Sequence, residues 1–333
     1  MRALVTGGNG FLGRYIIEYL LERGYAVTAF QRSSAPGLEG RGVAVVQGNL
    51  GDSAAVRKAV SGHDAVFHVA AKAGIWGDRR AFWEANVIGT RNVLAACRAE
   101  GVGRLIYTST PSVVFSGKAF SGADESVPYG RNWLCHYAET KAIAEQEVLA
   151  AAAGNLRVCA LRPHLIWGIG DPHLLPRVVE RARSGRLRIV GDGTNRVDIT
   201  HVHNAATAHV QALDALETGA ANGRAYFLSQ GEPVLLWEWL NELLQSLDIP
   251  PVQRRISLPA ARRIGAFAEG AWSLFRLPGE PPMTRFVATE LAKDHWFSIE
   301  AARRDLGYRP EAYSTQQGLV DYIAHLRSFS TPS

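Results

Sequence analysis

The feature that most constrains this chain lies at its start. Arg2–Val5 reads as a buried strand, Thr6-Gly7-Gly8-Asn9-Gly10-Phe11-Leu12-Gly13 as a glycine-rich turn, and Phe11–Arg23 as a helix. Strand, turn and helix in immediate succession leave few conformations open. Gly7 suits the tight turn, Gly10 permits close backbone approach to a ligand, and Gly13 lets the helix pack onto the strand. The unpaired N–H groups and positive dipole end of that helix suit a phosphate. The spacing predicts a dinucleotide pyrophosphate over Gly7, Gly8, Gly10, Phe11, Leu12 and Gly13.

The same rhythm continues downstream. Strand patterns at Ala26–Phe30, Val43–Gln47, Ala65–His68, Arg104–Thr108 and Arg157–Arg162 alternate with helical patterns at Ser53–Ser61, Phe82–Glu100 and Tyr137–Ala153. Alternation of this kind predicts an α/β chain, a Rossmann doubly wound parallel sheet. After Pro163 the rhythm loosens into mixed pieces and loops (Trp167–Pro172, Gly191–Arg196, Gly231–Pro233), which predicts a smaller C-terminal α/β substrate lobe. The division reads as a core over 1–165, with 186–230 contributing late strands and a helix, and a substrate lobe over 166–185 and 231–333. Ser328–Ser333 reads as a frayed tail.

Composition narrows the partners. Apolar residues make up 47% of the 333 and charged residues 20%, an ordinary globular balance with a formal net charge of +5. The arginines at 177, 181, 183, 186 and 188 lack interleaved aromatics, so no nucleic acid is expected. Cys97, Cys135 and Cys159 are far apart, with no CxxC, which speaks against a disulfide framework and for a reducing cytoplasm. The chain opens directly on a strand with no leader pattern, and no apolar run is long enough to span a bilayer. His201 and His203 lack a third ligand nearby, so no metal is expected and both read as structural.

The end of the second strand selects the cofactor. An NAD site places an acid there for the ribose 2′-hydroxyl; this chain has Gln31-Arg32-Ser33-Ser34. Arg32 can pair with a 2′-phosphate and Ser33 can hydrogen-bond to it, so NADPH/NADP is the expected cofactor.

Tyr137-Ala138-Glu139-Thr140-Lys141 sets a phenol and an ammonium one helical turn apart. The ammonium is expected to lower the phenol's pKa and to hold the nicotinamide ribose, leaving Tyr137 to exchange a proton with a carbonyl oxygen. The fifth strand ends in the hydroxyl run Tyr107-Thr108-Ser109-Thr110-Pro111-Ser112, one member of which should share that oxygen.

These residues resemble the extended short-chain dehydrogenase/reductases, on the 3β-hydroxysteroid dehydrogenase-like branch. The likeness runs through Thr6–Gly13, His68-Val-Ala-Ala71, Asn86-Val-Ile-Gly-Thr90, Tyr107–Thr110, Tyr137–Lys141, Arg162-Pro163, Gly191-Asp-Gly193 with Asp198, His201–Asn204 and Asp305–Tyr308. It implies a catalytic set of Tyr137, Lys141 and Thr110, with Ser109 and Ser112 as the alternative hydroxyls. It also implies cofactor contacts at Asn49, Leu50, Ala70, Ala71, Lys141 and Pro163, and a structural role for Asn86. The family's usual Gly-Asp-Leu is Gly48-Asn49-Leu50 here, and Asn49 keeps the ability to hydrogen-bond adenine.

Ala71–Gly77, Thr108–Val113, Leu161–Gly168, Leu277–Glu280 and Thr284–Phe286 resemble one subgroup, the 2-alkyl-3-oxoalkanoate reductases of bacterial long-chain olefin biosynthesis. That likeness implies NADPH-dependent reduction of the 3-keto group of a fatty β-keto acid. A 3β-hydroxysteroid or sterol dehydrogenase shares every core motif, and a catalytically silent nucleotide-sensing protein is a third reading. Trp76, Phe115, Trp133 and Trp167 could wall a hydrocarbon channel, and Lys72 or His164 could meet the carboxylate. The apolar segment Ile256–Leu277, flanked by arginines, could lid the small lobe, cover a lipid entrance, lie on a membrane or dock other olefin-pathway enzymes. The family implies a homodimer through the helices near Phe82–Glu100 and Tyr137–Ala153.

Overall fold

In the computed structural model, which describes residues 1–328, seven parallel strands form the central sheet. They are β1 (Arg2–Thr6), β2 (Ala26–Gln31), β3 (Ala44–Gln47), β4 (Ala65–His68), β5 (Arg104–Thr108), β6 (Arg157–Pro163) and β7 (Arg224–Leu228). Their spatial order is β3-β2-β1-β4-β5-β6-β7. The chain therefore builds the doubly wound parallel sheet expected of it, and the strand order reverses at β1. The tail expected at Ser328–Ser333 lies, beyond Ser328, outside the described residues.

Alternate residues of each strand serve opposite faces. On one face, Ala3 and Val5 of β1 meet Ile16, Ile17 and Leu20 of α1 (Phe11–Glu22), with Val210 and Leu213 of Val202–Thr218. On the other, Leu4 meets Val56 and Val60 of α2 (Ser53–Val60), Val93 of α3 (Gly89–Ala99) and Val148 of α4 (His136–Ala150). A parallel sheet covered on both sides needs such unbroken apolar strands, and β1 has one.

The helix expected over Phe82–Glu100 begins earlier and is not uniform. Arg79–Phe82 leads into a π-helical turn, Trp83–Ile88, which then runs on as α3. The wider turn carries Asn86 inward, where it is 2% exposed. A search for a 3.6-residue period does not register such an insertion.

One buried ion pair ties α4 to the sheet. The Arg162 guanidinium donates to both oxygens of Glu145 at 2.5–3.1 Å, and the Tyr129 hydroxyl donates to the same carboxylate at 2.7 Å. Neither partner's side chain is more than 4% exposed.

Beyond the main sheet, a second sheet has the order Val234–Leu235, Arg196–Val197, His295–Phe297, Phe120–Ala123. Phe120–Ala123, between β5 and α4, thus pairs with C-terminal residues. Trp167, expected at a channel wall, is instead fully buried with Trp237, Trp239, Leu243 and Tyr322, edge-on to Trp239 at 5.4 Å. Burying that indole in the core removes more apolar area from water than lining a cleft would.

The segment Ile256–Leu277 is a single helix, α5 (Leu258–Phe275), and a correction is needed there too. It is seated by Ala261, Gly265 and Ala268 against the start of α6 (Arg285–Glu290). A Cβ on Gly265 would lie 2.7 Å from the Thr284 carbonyl carbon and 2.8 Å from the Arg285 nitrogen. Close backbone contact selects the small face for burial, which turns Phe267 (81% exposed) and Leu274 (76%) outward. Those side chains do not lid the lobe's core. Among the described residues, no helix is long and apolar enough to cross a membrane.

The Glu145–Arg162 pair yields a stability test. Arg162→Ala leaves a buried carboxylate without its cation and should lower the unfolding free energy by about 3–5 kcal/mol in urea titration. The exposed Arg303–Glu311 contact should give less than about 1 kcal/mol when Arg303 is replaced by Ala. Equal losses would contradict the buried placement.

Candidate active site

The carboxyl ends of β1, β4, β5 and β6 converge where the strand order reverses, the usual ligand edge of such a sheet. At the end of β1, Gly7 has φ +70° and its carbonyl accepts the Gly10 N–H at 2.8 Å. A Cβ on Gly13 would lie 2.3 Å from that carbonyl oxygen, so only glycine fits. Gly10 caps α1 without any side-chain hydrogen bond. The first-turn N–H groups of Phe11, Leu12 and Gly13 are therefore left for a ligand, and the loop fits a pyrophosphate.

Gln31 occupies the strand end where an acid would serve a ribose. Its Oε1 accepts the Asn9 N–H and its Nε2 donates to the Ser33 carbonyl, each at 2.8 Å. Arg32 and Ser33 project into solvent beside it, and Arg32 has no ion pair among the described residues. Asn49 accepts the Gly51 N–H at 3.0 Å, and Asn92 donates to the Leu50 carbonyl at 2.7 Å, holding the loop after β3. Ala70 packs on Gly7, Ala71 follows it, and Pro163 closes β6.

Beneath this surface runs a buried hydrogen-bonded chain that no motif had singled out as one unit. The Thr90 hydroxyl donates to the Asn86 carbonyl at 2.6 Å, so its oxygen accepts from His68 Nε2 at 3.0 Å. His68 Nδ1 is then an acceptor for the Thr6 hydroxyl at 2.8 Å, and Thr6 Oγ1 accepts the N–H groups of Val69 and Ala70 at 3.1 Å. Burial, reinforced by the charge of Lys141, pulls His68 down to about 3, which keeps it in the neutral form that this chain requires. Asn86 grips Lys72 by both backbone groups (2.7 and 3.1 Å) and donates to Thr140 Oγ1 on α4 at 3.0 Å. The threonines at 6, 90 and 140 were the available signal; the partners are 4 to 64 residues apart.

On α4, Tyr137 lies among Phe115, Cys135 and Phe286. Burial pushes its phenol up to about 12, against the lowering effect of its hydrogen bond with Thr110. Lys141 Nζ donates to the Thr108 carbonyl at 2.6 Å and lies 4.0 Å from the Tyr107 ring centre. Burial lowers the ammonium to about 7, with Glu145 opposing. The expectation that Lys141 depresses the Tyr137 pKa is corrected: desolvation dominates at the phenol, and the ammonium is engaged by β5. Of the three candidate hydroxyls, Thr110 is the one that meets Tyr137. Ser109 is buried with its Oγ unpartnered, and Ser112 Oγ is 3.3 Å from Thr110 Oγ1.

Beside Ser112 and Phe115 lies a small recess of about 20 Å³, bordered also by His164, Glu290 and Lys293. His295 Nε2 donates to the Glu290 carbonyl at 2.8 Å, so its Nδ1 accepts from His164 Nε2 at 2.6 Å. Burial and His295 hold His164 well below its usual pKa, so a cationic His164 is corrected to a neutral one. Lys72 has no ion pair among the described residues, and its ammonium lies 5.1 Å from the Phe82 ring centre. Trp133 packs against both Phe115 and the Val113 cluster, and Trp76 is half-buried in the loop after β4. His201 and His203 stack on each other and His201 on Tyr313, at 5.4 and 4.3 Å.

Comparison with known proteins agrees with the resemblance read from the motifs. A model of the 3-beta hydroxysteroid dehydrogenase/isomerase family matches residues 4–260. A 2-alkyl-3-oxoalkanoate reductase of Stenotrophomonas maltophilia is 55% identical over 96% of this chain and 97% of its own length. A protein of the same name from Shewanella oneidensis is 47% identical over 92% of this chain and 81% of its own. A 3 beta-hydroxysteroid dehydrogenase/Delta 5→4-isomerase of Mycobacterium tuberculosis is 35% identical over 97% of this chain and 90% of its own. Among solved structures, gox2253 superposes with a TM-score of 0.78 at 27% identity, covering 98% of both chains.

The environment of Lys141 can be tested by titration. Folded Lys141 releases its proton near pH 7, whereas an unfolded lysine keeps it to 10.5. Between those values the unfolded state binds more protons, so stability rises with pH. Wild type should gain on Lys141→Met by up to about 1.4 kcal/mol per pH unit across that window, with a constant gap below pH 7. Urea titrations at pH 6, 8 and 9.5 measure this, and parallel pH curves for the two proteins would contradict it.

Proposed function

We propose a specific reaction for this chain, which belongs to the 3-beta hydroxysteroid dehydrogenase/isomerase family and is an oxidoreductase acting on CH–OH groups with a nicotinamide cofactor. The reaction is NADPH-dependent reduction of the 3-keto group of a 2-alkyl-3-oxoalkanoate to the 2-alkyl-3-hydroxyalkanoate, in the cytoplasm, as a step of olefin biosynthesis. The observation that carries the chemistry is the Thr110 hydroxyl acting on the Tyr137 phenol, with Lys141 one helical turn along α4 and anchored to the end of β5. The substrate class rests on the two reductases of that name.

NADPH, when bound, supplies the hydride. Gly7, Gly8, Gly10, Phe11, Leu12 and Gly13 hold its pyrophosphate, and Asn49, Leu50, Ala70 and Ala71 border its adenosine. Arg32 and Ser33 take the 2′-phosphate, while Pro163 and Lys141 lie at its nicotinamide half. Thr110 and Tyr137 both hydrogen-bond the keto oxygen. Tyr137, protonated at neutral pH as any phenol is and held more firmly so by burial, gives up its proton as the oxygen becomes negative; an alkoxide is more basic than even this phenolate. Thr110 remains as a donor to the new oxygen. Lys72, with its backbone gripped by Asn86 and its ammonium free of carboxylates, takes the substrate carboxylate. Phe115, Trp133 and Trp76 wall the alkyl chains.

A sterol dehydrogenase is the second reading, supported by the 35% identity to the mycobacterial enzyme. A silent nucleotide sensor is disfavoured because Tyr137, Lys141 and Thr110 are all present and adjoining. A homodimer through the helices at 82–100 and 137–153 completes the proposal. Contacts with larger partners fall to the 256–277 segment.

Tyr137→Phe should lower turnover about 10²–10⁴-fold while leaving NADPH binding intact. Arg32→Ala should weaken NADPH about tenfold or more and NADH little, since a charge-assisted hydrogen bond to phosphate is worth about 1.5–3 kcal/mol. Following NADPH oxidation with 2-alkyl-3-keto acids against 3-ketosteroids decides the substrate. Faster turnover of the steroids would replace the first reading by the second.

A further inference from the structure

Seven large apolar side chains are exposed among the described residues, and five of them belong to one short stretch: Ile264, Phe267, Leu274, Phe275 and Leu277. Ile264, Phe267, Ala271 and Leu274 follow the three-and-four spacing of one helical face, and Phe275 adjoins it. This face is the reverse of an ordinary surface helix. The small residues Ala261, Gly265 and Ala268 point into the protein and the large ones point away.

The charges around the face are all of one sign. Arg262 and Arg263 stand at its start and Arg276 at its end, exposed and without ion pairs among the described residues. The one acid of the helix, Glu269, is turned inward, where it accepts from the Arg285 N–H at 2.6 Å and its Nε at 2.7 Å. We propose that the outward face of α5 seats the protein on an anionic lipid surface, with the aromatic and leucine side chains in the acyl boundary and the arginines at the headgroups. A second copy of this chain is a poor occupant, because a two-fold contact would set arginines against arginines with no acid between them.

The seat also lies over the active site. On the far side of α5 from the lipid is α6, whose Phe286 meets Phe115 at 4.8 Å between ring centres. Phe115 shares an apolar cluster with Tyr137, and Glu290 at the end of α6 borders the recess beside Ser112. Phe286 and Phe115 are both buried, so alkyl chains coming from the lipid would enter by parting this apolar contact; this last step rests on the substrate reading above, whereas the lipid contact does not.

The test is co-sedimentation of the NADPH-loaded full chain with vesicles of phosphatidylcholine, alone or with about a third phosphatidylglycerol. The protein should sediment with the anionic vesicles, less so at high salt, and little with phosphatidylcholine alone. Phe267→Ser with Leu274→Ser should cut binding at least about tenfold, with melting temperature and NADPH affinity unchanged. Arg262→Gln with Arg263→Gln and Arg276→Gln should weaken binding and remove its salt dependence. No sedimentation with either vesicle, equal sedimentation with both, or undiminished binding by the serine variant would each overturn the proposal. A wild-type self-association that the serine variant abolishes, seen by sedimentation velocity, would assign the face to a second copy instead. Turnover of a short water-soluble 2-alkyl-3-keto acid by the serine variant is a separate readout: its absence in wild type as well would count against the substrate reading and leave the vesicle result standing.

Discussion

The arrangement of the site depends on one buried hydrogen-bonded chain, from Thr6 through His68, Thr90 and Asn86 to Thr140. It joins the end of β1, which carries the glycine loop, to the end of β4, the π turn and α4, which carries Tyr137 and Lys141. The direction of its bonds follows from the carbonyls at its ends, Asn86 for the Thr90 hydroxyl and His136 and Tyr137 for the Thr140 hydroxyl. His68 works only as the neutral imidazole, and burial together with the neighbouring ammonium enforces that state. A group that is locked in one tautomer makes a stiff spacer between the glycine loop and Tyr137, and the reaction proposed for them needs that spacing held closely.

The same burial sets the charges. Lys141 loses most of its preference for the proton, Tyr137 holds its own more tightly, and His164 cannot carry a charge beside His295. Against these stands Glu145–Arg162, one turn beyond Lys141, where both partners are desolvated and joined by three bonds, although Arg162 Nη1 is left without a partner. Its carboxylate also raises the affinity of Lys141 for its proton. The low-dielectric surroundings therefore favour the uncharged form of both the phenol and the lysine, which suits the proton-donor role proposed for Tyr137.

The outer helix follows a different constraint. Gly265 can approach the Thr284–Arg285 backbone only because it lacks a side chain, and that contact decides which face of α5 is buried. The apolar area left outside is a consequence of this seat. Phe286 of α6 meets Phe115, which shares an apolar cluster with Tyr137, so few side chains separate the outer helix from that phenol.

Local pattern alone determined the glycine loop, the strand–helix alternation, the Tyr137/Lys141 spacing and the absence of an acid at Gln31–Arg32. Each of these lies within a dozen residues of chain, where periodicity and steric demand act directly. Tertiary structure decided the rest. The π turn that turns Asn86 inward, the burial of Trp167, the neutrality of His164, the engagement of Lys141 with Thr108 and the outward face of α5 all depend on partners far away in sequence. Desolvation is the common reason: it is set by what folds over a group, and residues from both ends of the chain supply that cover.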